Sequence, residues 1–396
     1  MDSSFDAARQ HFFTGIEHFE AGRLEPACAA FATAAALAPG RPSVLGNLGI
    51  TLFQLGRIDE AVAPLRQATA ADPAYAEAWA CLGLAEEARG RWQEAADALE
   101  QALRLAPDRA PLWMSLALCR QRLGQAGPAL DAFGRALAAD PAYADAWSAR
   151  GSLLRELGRL AEAAQCFEQA LACGGDPELN RYYLASVQEA GLPPAPPRRY
   201  VESLFDEYAP EFQGHVTGAL RYQGHEVLLR PLLQAGRRYP RVLDLGCGTG
   251  LCGTLIAPAA DAIVGVDLSQ AMLEEARKSG VYRELVHADV ASFLAGERSP
   301  VDLVVAADVF IYVGALDAVF GAVRRILAPG GCFAFTVEEP VEDGGMQLLP
   351  SLRYAHSEQY VRDLAQRNGF EVDAMSRAPI RHDQERPVGG LYVYLR

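Results

Sequence analysis

Small residues recur every 34 positions through the first half of this chain: Gly15, Gly49, Gly83, Ala117, Gly151 and Ala185. Ala27, Ala61, Ala95, Ala129 and Ala163 keep the same interval. So do the bulky residues Phe31, Leu65, Leu99, Phe133 and Phe167, and the prolines Pro39, Pro73, Pro107 and Pro141. Trp79, Trp113 and Trp147 stand four residues before their small partners. Self-similarity at such a period belongs to stacked arrays, in which each unit buries its apolar face only against a neighbour. The small columns allow close helix packing, the Trp and Leu columns supply the buried ridge, and Gly22, Gly56, Gly90, Gly124 and Gly158 end the first helix of each pair. Five full repeats are expected from Ala8 to about residue 175, followed by a capping helix over 177–190.

These columns resemble the tetratricopeptide repeat over about 170 residues. The resemblance implies an all-α solenoid with a concave groove for a protein or peptide partner. A purely architectural arm, or a surface for a second copy, is the alternative, and the oligomeric state stays open.

A different signal follows. The stretch Val242-Leu-Asp-Leu-Gly-Cys-Gly-Thr-Gly250 runs a short apolar strand into glycines at alternate positions, Gly246, Gly248 and Gly250, just after Asp244. A second acid, Asp267, ends the next apolar strand, where a carboxylate can accept hydrogen bonds from a ribose diol. The two strand ends together indicate a nucleoside ligand. A dinucleotide fingerprint places its third glycine one residue later than this one.

Asp244-Leu-Gly-Cys-Gly-Thr-Gly250 closely resembles the first motif of class I S-adenosylmethionine-dependent methyltransferases. The cofactor implied is S-adenosylmethionine, contacted by Asp244, Gly246, Cys247, Gly248, Gly250, Asp267 and Leu268. By the same resemblance Asp289 and Val290 meet the adenine, and Asp308 belongs to the fourth motif, facing the transferred methyl. Phe205 and Tyr208 lie in a segment similar to the pre-core lid of small-molecule methyltransferases. Strands are expected near 241–246, 262–267, 284–289, 301–308, 331–338, 371–378 and 389–395, with helices between most of them and an antiparallel final pair. That is an α/β doubly wound, Rossmann-like, seven-stranded domain. The domains expected are a repeat array over 1–190, a Pro-rich linker over 191–199 acting as a stiff spacer, and the methyltransferase domain over 200–396.

Methyl transfer from a sulfonium starts with an activated leaving group, so alignment is the main demand and a base is needed only for a protonated acceptor. The catalytic candidates are His356, Tyr354 and Tyr312. Asp308-Val-Phe-Ile departs from the Asn/Asp-Pro-Pro-Tyr form associated with base and amide nitrogens, which disfavours that class of acceptor. A formal net charge of −14 argues against general affinity for nucleic acid or an anionic membrane. No apolar run is long enough for a membrane span, and the acidic start lacks the basic end of a signal peptide, so a cytoplasmic bacterial protein is expected. The eight cysteines form no Cys-x-x-Cys pair, and no metal is expected. The function expected is methyl transfer to a protein or small-molecule acceptor, with the repeats recruiting the substrate or a partner. The alternative is a non-catalytic interaction scaffold with a vestigial methyltransferase domain.

Overall fold

The 34-residue period appears in three dimensions as a small-to-large contact repeated at a separation of 16 residues. A Cβ added to Gly15 would lie 2.5 Å from Phe31, one on Gly49 2.5 Å from Leu65, one on Gly83 2.6 Å from Leu99, and one on Gly151 2.7 Å from Phe167. Each large partner is fully buried. The glycine column therefore lets the first helix of each pair lie directly on the second. The pairs are α1–α2 (Asp2–Glu20, Leu24–Leu37), α3–α4 (Pro42–Gln54, Ile58–Ala71), α5–α6 (Ala76–Ala88, Trp92–Leu105), α7–α8 (Ala110–Arg122, Ala126–Ala139) and α9–α10 (Ala144–Glu156, Leu160–Ala172). The computed structural model describes residues 2–188, 191–206, 222–340, 344–383 and 386–396.

Each pair turns on the same device. Gly56 takes φ +73° and donates to Phe53 O, while the following Arg57 N–H reaches back to Leu52 O. That is a Schellman motif, and it recurs at Gly22, Gly90, Gly124 and Gly158. The tryptophans differ from expectation. They are only half-buried, because each indole N–H caps the carbonyl of the repeat's proline: Trp79 to Pro73 at 3.1 Å, Trp113 to Pro107 at 2.7 Å and Trp147 to Pro141 at 3.0 Å. The Trp column thus staples one repeat's entry to its first helix.

The chain divides into two compact units, Met1–Asn180 and Arg181–Arg396. The division falls ten residues before the expected boundary. The sixth helix, α11, covers Pro177–Ala185 and not 177–190. Tyr182 and Ala185 join Leu348, Leu352 and Tyr354 in a small buried cluster of the second unit, and the Tyr182 hydroxyl donates to Leu352 O at 2.7 Å. The Pro-rich segment is not a free spacer either. Pro193 O accepts from the Tyr354 hydroxyl at 2.9 Å and Pro194 O from Ala315 N at 2.8 Å. A short helix, α12, follows over 198–206.

The second unit is a doubly wound sheet. Its strands are β1 (Tyr239–Leu245), β2 (Ala260–Asp267), β3 (Glu284–His287), β4 (Val301–Ala306), β5 (Leu327–Glu338), β6 (Met346–Leu348), β7 (Tyr354–His356), β8 (Val372–Asp383) and β9 (Arg386–Leu395). The parallel part runs β3-β2-β1-β4-β5, and β9 continues it antiparallel to β5, with β8 antiparallel beyond. These are the seven expected strands with the expected final hairpin. Strands β6 and β7 were not expected; they form a three-residue hairpin joined to β5 through Glu338 and Ala355.

Strand β1 shows why its sequence is apolar throughout. Leu243 and Leu245 enter one core with Phe320, Phe333 and Phe335, while Val242 enters the opposite core with Leu228, Leu229 and Ile256. Both faces of the sheet are covered, as parallel strands require. The helices that cover them are α13 (Gly224–Gln234), α14 (Leu251–Ile256), α15 (Gln270–Lys278), α16 (Val290–Gly296), α17 (Asp317–Ile326) and α18 (Glu358–Arg367). Among the described residues no helix is long and apolar enough to cross a membrane.

Gly83→Val should destabilise the repeat unit by about 1–3 kcal/mol, the scale of core overpacking, because its branched side chain must displace Leu99. Chemical denaturation followed by tryptophan fluorescence measures this, and an unchanged midpoint would refute the close-packing role of the small column.

Candidate functional site

The glycine loop begins where β1 ends. Gly246 takes φ +60°, and a Cβ there would lie 2.6 Å from Val309, so this position is closed to side chains by packing. Gly248 takes φ +53°, but a Cβ there would meet nothing within 4 Å, because this glycine faces open space. One glycine thus serves the fold and the other leaves room for a ligand against the backbone. The Gly248 N–H donates to Asp267 Oδ2 at 2.8 Å, and Asp267 Oδ1 accepts from Ser269 N at 2.9 Å. Cys247 N donates to Val266 O, so the loop is held to the end of β2 at two successive residues. Asp267 is 9% exposed; burial raises its pKa, opposed by the backbone amides of Ser269, Gly248 and Leu268.

These residues open on a cavity of about 590 Å³ at the carboxyl ends of β1, β2 and β4. Strand order reverses there: from β1 the chain passes outward to β2 and β3, and β4 lies on the other side of β1. Open α/β sheets place their ligands at such a switch point. Gly246, Cys247, Gly248, Asp267, Leu268, Asp289, Val290, Asp308, Phe205 and Tyr312 all line the cavity. Asp289 caps α16 by accepting from Ala291 N and Ser292 N, both at Oδ1. Tyr312 stands edge-on to Phe205 with ring centroids 5.1 Å apart.

Other expectations are corrected. His356 does not line the cavity; it is fully buried, its Nε2 pairs with Gly314 O at 2.7 Å, and its ring stacks on Tyr360. Burial lowers its pKa to about 4. Tyr354 is also fully buried, and its hydroxyl is spent on Pro193 O. Both are packing groups, and neither is placed to meet a reacting atom. Asp244 lies beneath the loop and not in the cavity wall; its Oδ2 accepts from the Tyr282 hydroxyl at 2.7 Å. Gly250 is the N-cap of α14 at φ +94° and does not line the cavity. Tyr208 lies outside the described residues.

Several cavity groups were missed by sequence reasoning. Thr249 Oγ1, His225 Nδ1 and Arg381 Nε are buried without a hydrogen-bond partner, and all three residues line the cavity. Buried polar atoms are normally satisfied, so these three are exceptions beside the cavity. His225 is 9% exposed, stacks on Tyr222 at 5.2 Å, and has its pKa lowered by desolvation. A lone histidine in an amphipathic helix carries no such signal in sequence. Arg381 is held between two carboxylates, Asp308 at 2.7 Å and Glu338 at 2.5 Å. Asp308 stands in the left-handed region at φ +60°, with its N–H bonded to Thr336 Oγ1 at 2.8 Å.

The donor set fits S-adenosylmethionine. Acids stand at the ends of β2 and β3, a glycine backbone faces open space, and Leu268, Val290, Val309 and Ile311 supply apolar walls. The loop itself carries no cationic side chain for a phosphate, as suits a cofactor without one. Among the described residues no cluster of His, Cys, Asp and Glu is arranged to hold a metal.

Comparison with known proteins agrees with this division. Residues 242–331 match the family model of a methyltransferase domain, and residues 14–76, 47–110 and 114–177 match that of the tetratricopeptide repeat. The malonyl-[acyl-carrier protein] O-methyltransferase of Legionella pneumophila subsp. pneumophila is 39% identical over 129 residues, 31% of this chain and 45% of that one. The trans-aconitate 2-methyltransferase of Paracidovorax citrulli is 35% identical over 118 residues, 29% of this chain and 44% of that one. The chain therefore spans less than half the length of these curated relatives. Among solved structures, that of MamA protein aligns with 42% of this chain and 92% of its own, at 24% identity and a TM-score of 0.41.

Burial raises the Asp244 pKa to about 7, with the Tyr282 hydrogen bond acting in the opposite sense. An unfolded aspartate releases its proton near pH 3.9. Between those values the folded protein holds a proton that the unfolded chain has lost. Stability from this group is therefore greatest below pH 4 and falls as pH rises to about 7, by at most about 1.4 kcal/mol per pH unit. Asp244→Asn should flatten that decline in denaturant titrations at pH 5 and pH 8; an equal decline in the variant would refute the assignment.

Proposed function

We propose that this chain, which carries a methyltransferase domain behind a tetratricopeptide-repeat array, transfers a methyl group from S-adenosylmethionine to a protein-borne or small-molecule acceptor. The observation that carries this reading is the Asp267 carboxylate bonded to Gly248 N–H at the switch point of the sheet. It fixes the loop conformation and leaves Gly248 facing the cavity.

When bound, the cofactor supplies an activated methyl on a sulfonium, and the protein supplies place and orientation. Asp267 accepts from the ribose diol with the lone pairs its two backbone bonds leave free. Asp289 and Val290 would receive the adenine, with Phe205 beside it. Thr249 Oγ1 and the loop backbone hold the amino-acid end. The acceptor enters on the β4 side, among Tyr312, Tyr222, His225 and the Asp308–Arg381 pair. There these residues would hold the acceptor in line with the carbon–sulfur bond, and the bound cofactor would supply the methyl and leave as a neutral thioether. A protonated acceptor passes its proton to the neutral His225 imidazole; an acceptor already anionic needs no base.

The relatives named above act on malonyl-[acyl-carrier protein] and trans-aconitate, which supports an acceptor carried by a protein or free in solution. The repeats recruit that protein or another partner through their groove. Thr249, His225 and Arg381 line one cavity beside the glycine loop, which favours a working site over a vestigial one.

Calorimetry of the full chain with S-adenosylmethionine tests the cofactor, and mass spectrometry for a methylated product after incubation with cell extract tests the transfer. A folded protein that does not bind overturns the enzymatic reading. Asp267→Ala should weaken binding by about 1.5–3 kcal/mol, the scale of hydrogen bonds to a charged group. An unchanged dissociation constant would remove Asp267 from the ribose contact.

A further inference from the structure

Tyr282 does not line the cavity, yet three glycines make room for its ring. A Cβ on Gly253 would stand 2.3 Å from the ring, one on Gly250 3.1 Å, and one on Gly265 2.8 Å from both the ring and Leu285. Gly250 caps α14, Gly253 lies in its first turn and Gly265 lies in β2. Of the three only Gly250 takes a positive φ, so at Gly253 and Gly265 it is space, not backbone conformation, that calls for glycine. The chain beside the ring is pinned to β2, where Arg283 N–H donates to Ile263 O at 2.9 Å.

The hydroxyl of this ring meets Asp244. It donates to Asp244 Oδ2 at 2.7 Å, and Asp244 is the ladder partner of Gly265, in the wall of the same slot. Asp244 is buried, so hydroxyl and carboxyl answer each other's need for a partner. The Gly253 amide also favours the ionised form of that carboxyl. Asp244 precedes the glycine loop and Gly253 follows it, so the loop leaves from one residue of this cluster and returns to another. Between those two feet, Cys247, Gly248 and Thr249 line the cavity. Tyr282 reaches both feet: its hydroxyl holds Asp244, and its ring packs against Gly250 and Gly253.

We propose that Tyr282 is a positioning residue of the methyl-donor site, which sets the path of the glycine loop from outside the cavity through Asp244 and the first turn of α14. This rests on the methyltransferase reading above. Glycine gives a loop conformational freedom. That freedom is lost on binding a ligand unless the fold has removed it beforehand. Tyr282 removes it at both feet of the loop. Phenylalanine would fill the same slot but leave the buried Asp244 carboxyl without its donor, so the ring and the hydroxyl have separable tasks.

The test uses the full chain with S-adenosylhomocysteine as probe. Tyr282→Phe keeps the ring and removes the hydroxyl, and Tyr282→Leu also opens the slot. Calorimetry should show the probe weakened roughly fivefold by Tyr282→Phe and roughly tenfold or more by Tyr282→Leu. Stability against pH gives the second readout. The titratable groups facing the Asp244 carboxyl are Tyr282, Asp267, Cys247 and Cys252. Removing a donor to the ionised form raises a carboxyl's pKa. The decline in stability assigned to Asp244 should therefore run on to higher pH in Tyr282→Phe, by about half a pH unit or more. If the variants bind the probe as tightly as the wild type, Tyr282 is a core residue only. If Tyr282→Phe weakens the probe but leaves the pH of that decline unmoved, the hydroxyl does not act through Asp244 and the proposal is overturned. Should Tyr282→Leu not fold, Tyr282→Phe decides both readouts. If the wild type does not bind the probe at all, the methyltransferase reading fails first, and Tyr282 has no such site to position.

Discussion

The hydrogen bond from Gly248 N–H to the Asp267 carboxylate is the point on which the second unit's site depends. A carboxylate this buried is costly to ionise, and its pKa is raised accordingly. It is tolerated because backbone amides of two different segments converge on it. The same two oxygens thereby tie the end of β2 to the loop after β1 and give the loop its shape. The proposed ribose contact would reuse the group that built the site, so architecture and recognition are not separable at this residue.

A second polar lock faces it across the cavity. Arg381 comes from β8, at the far edge of the sheet, and joins Asp308 after β4 to Glu338 at the end of β5. The lock also anchors Asp308, which stands at φ +60°, a left-handed conformation that aspartate adopts more readily than most residues.

The repeats were legible because their packing is strictly periodic: a glycine and its large partner always lie 16 residues apart, so a local rule fixes a tertiary contact. The glycine loop was legible for a similar reason, since strand, loop and acid follow one another within 30 residues. Tyr354 and His356 were misread because their partners, Pro193 and Gly314, lie 161 and 42 residues away. Ser357 caps the following helix, accepting from Tyr360 N, but a cap says nothing about which side chains before it are buried. Strands β6 and β7 are too short to show an alternating pattern. The four prolines of 191–197 correctly excluded helix, yet composition alone does not distinguish a free spacer from a strap bound along its length. His225 was invisible for the converse reason: its importance comes from the cavity it borders and not from its neighbours in sequence.

The tryptophan staples have one more consequence. All four tryptophans of the chain, Trp79, Trp92, Trp113 and Trp147, lie in the repeats, and none falls between Arg181 and Arg396. Three of them sit half-buried with the indole N–H bonded to a proline carbonyl. Indole emission is sensitive to just such partial solvation, so excitation at the red edge of the protein band reads the array alone. Twelve of the 14 tyrosines lie in the second unit. The protein therefore carries a built-in optical partition, by which the melting of each unit can be watched without adding a label.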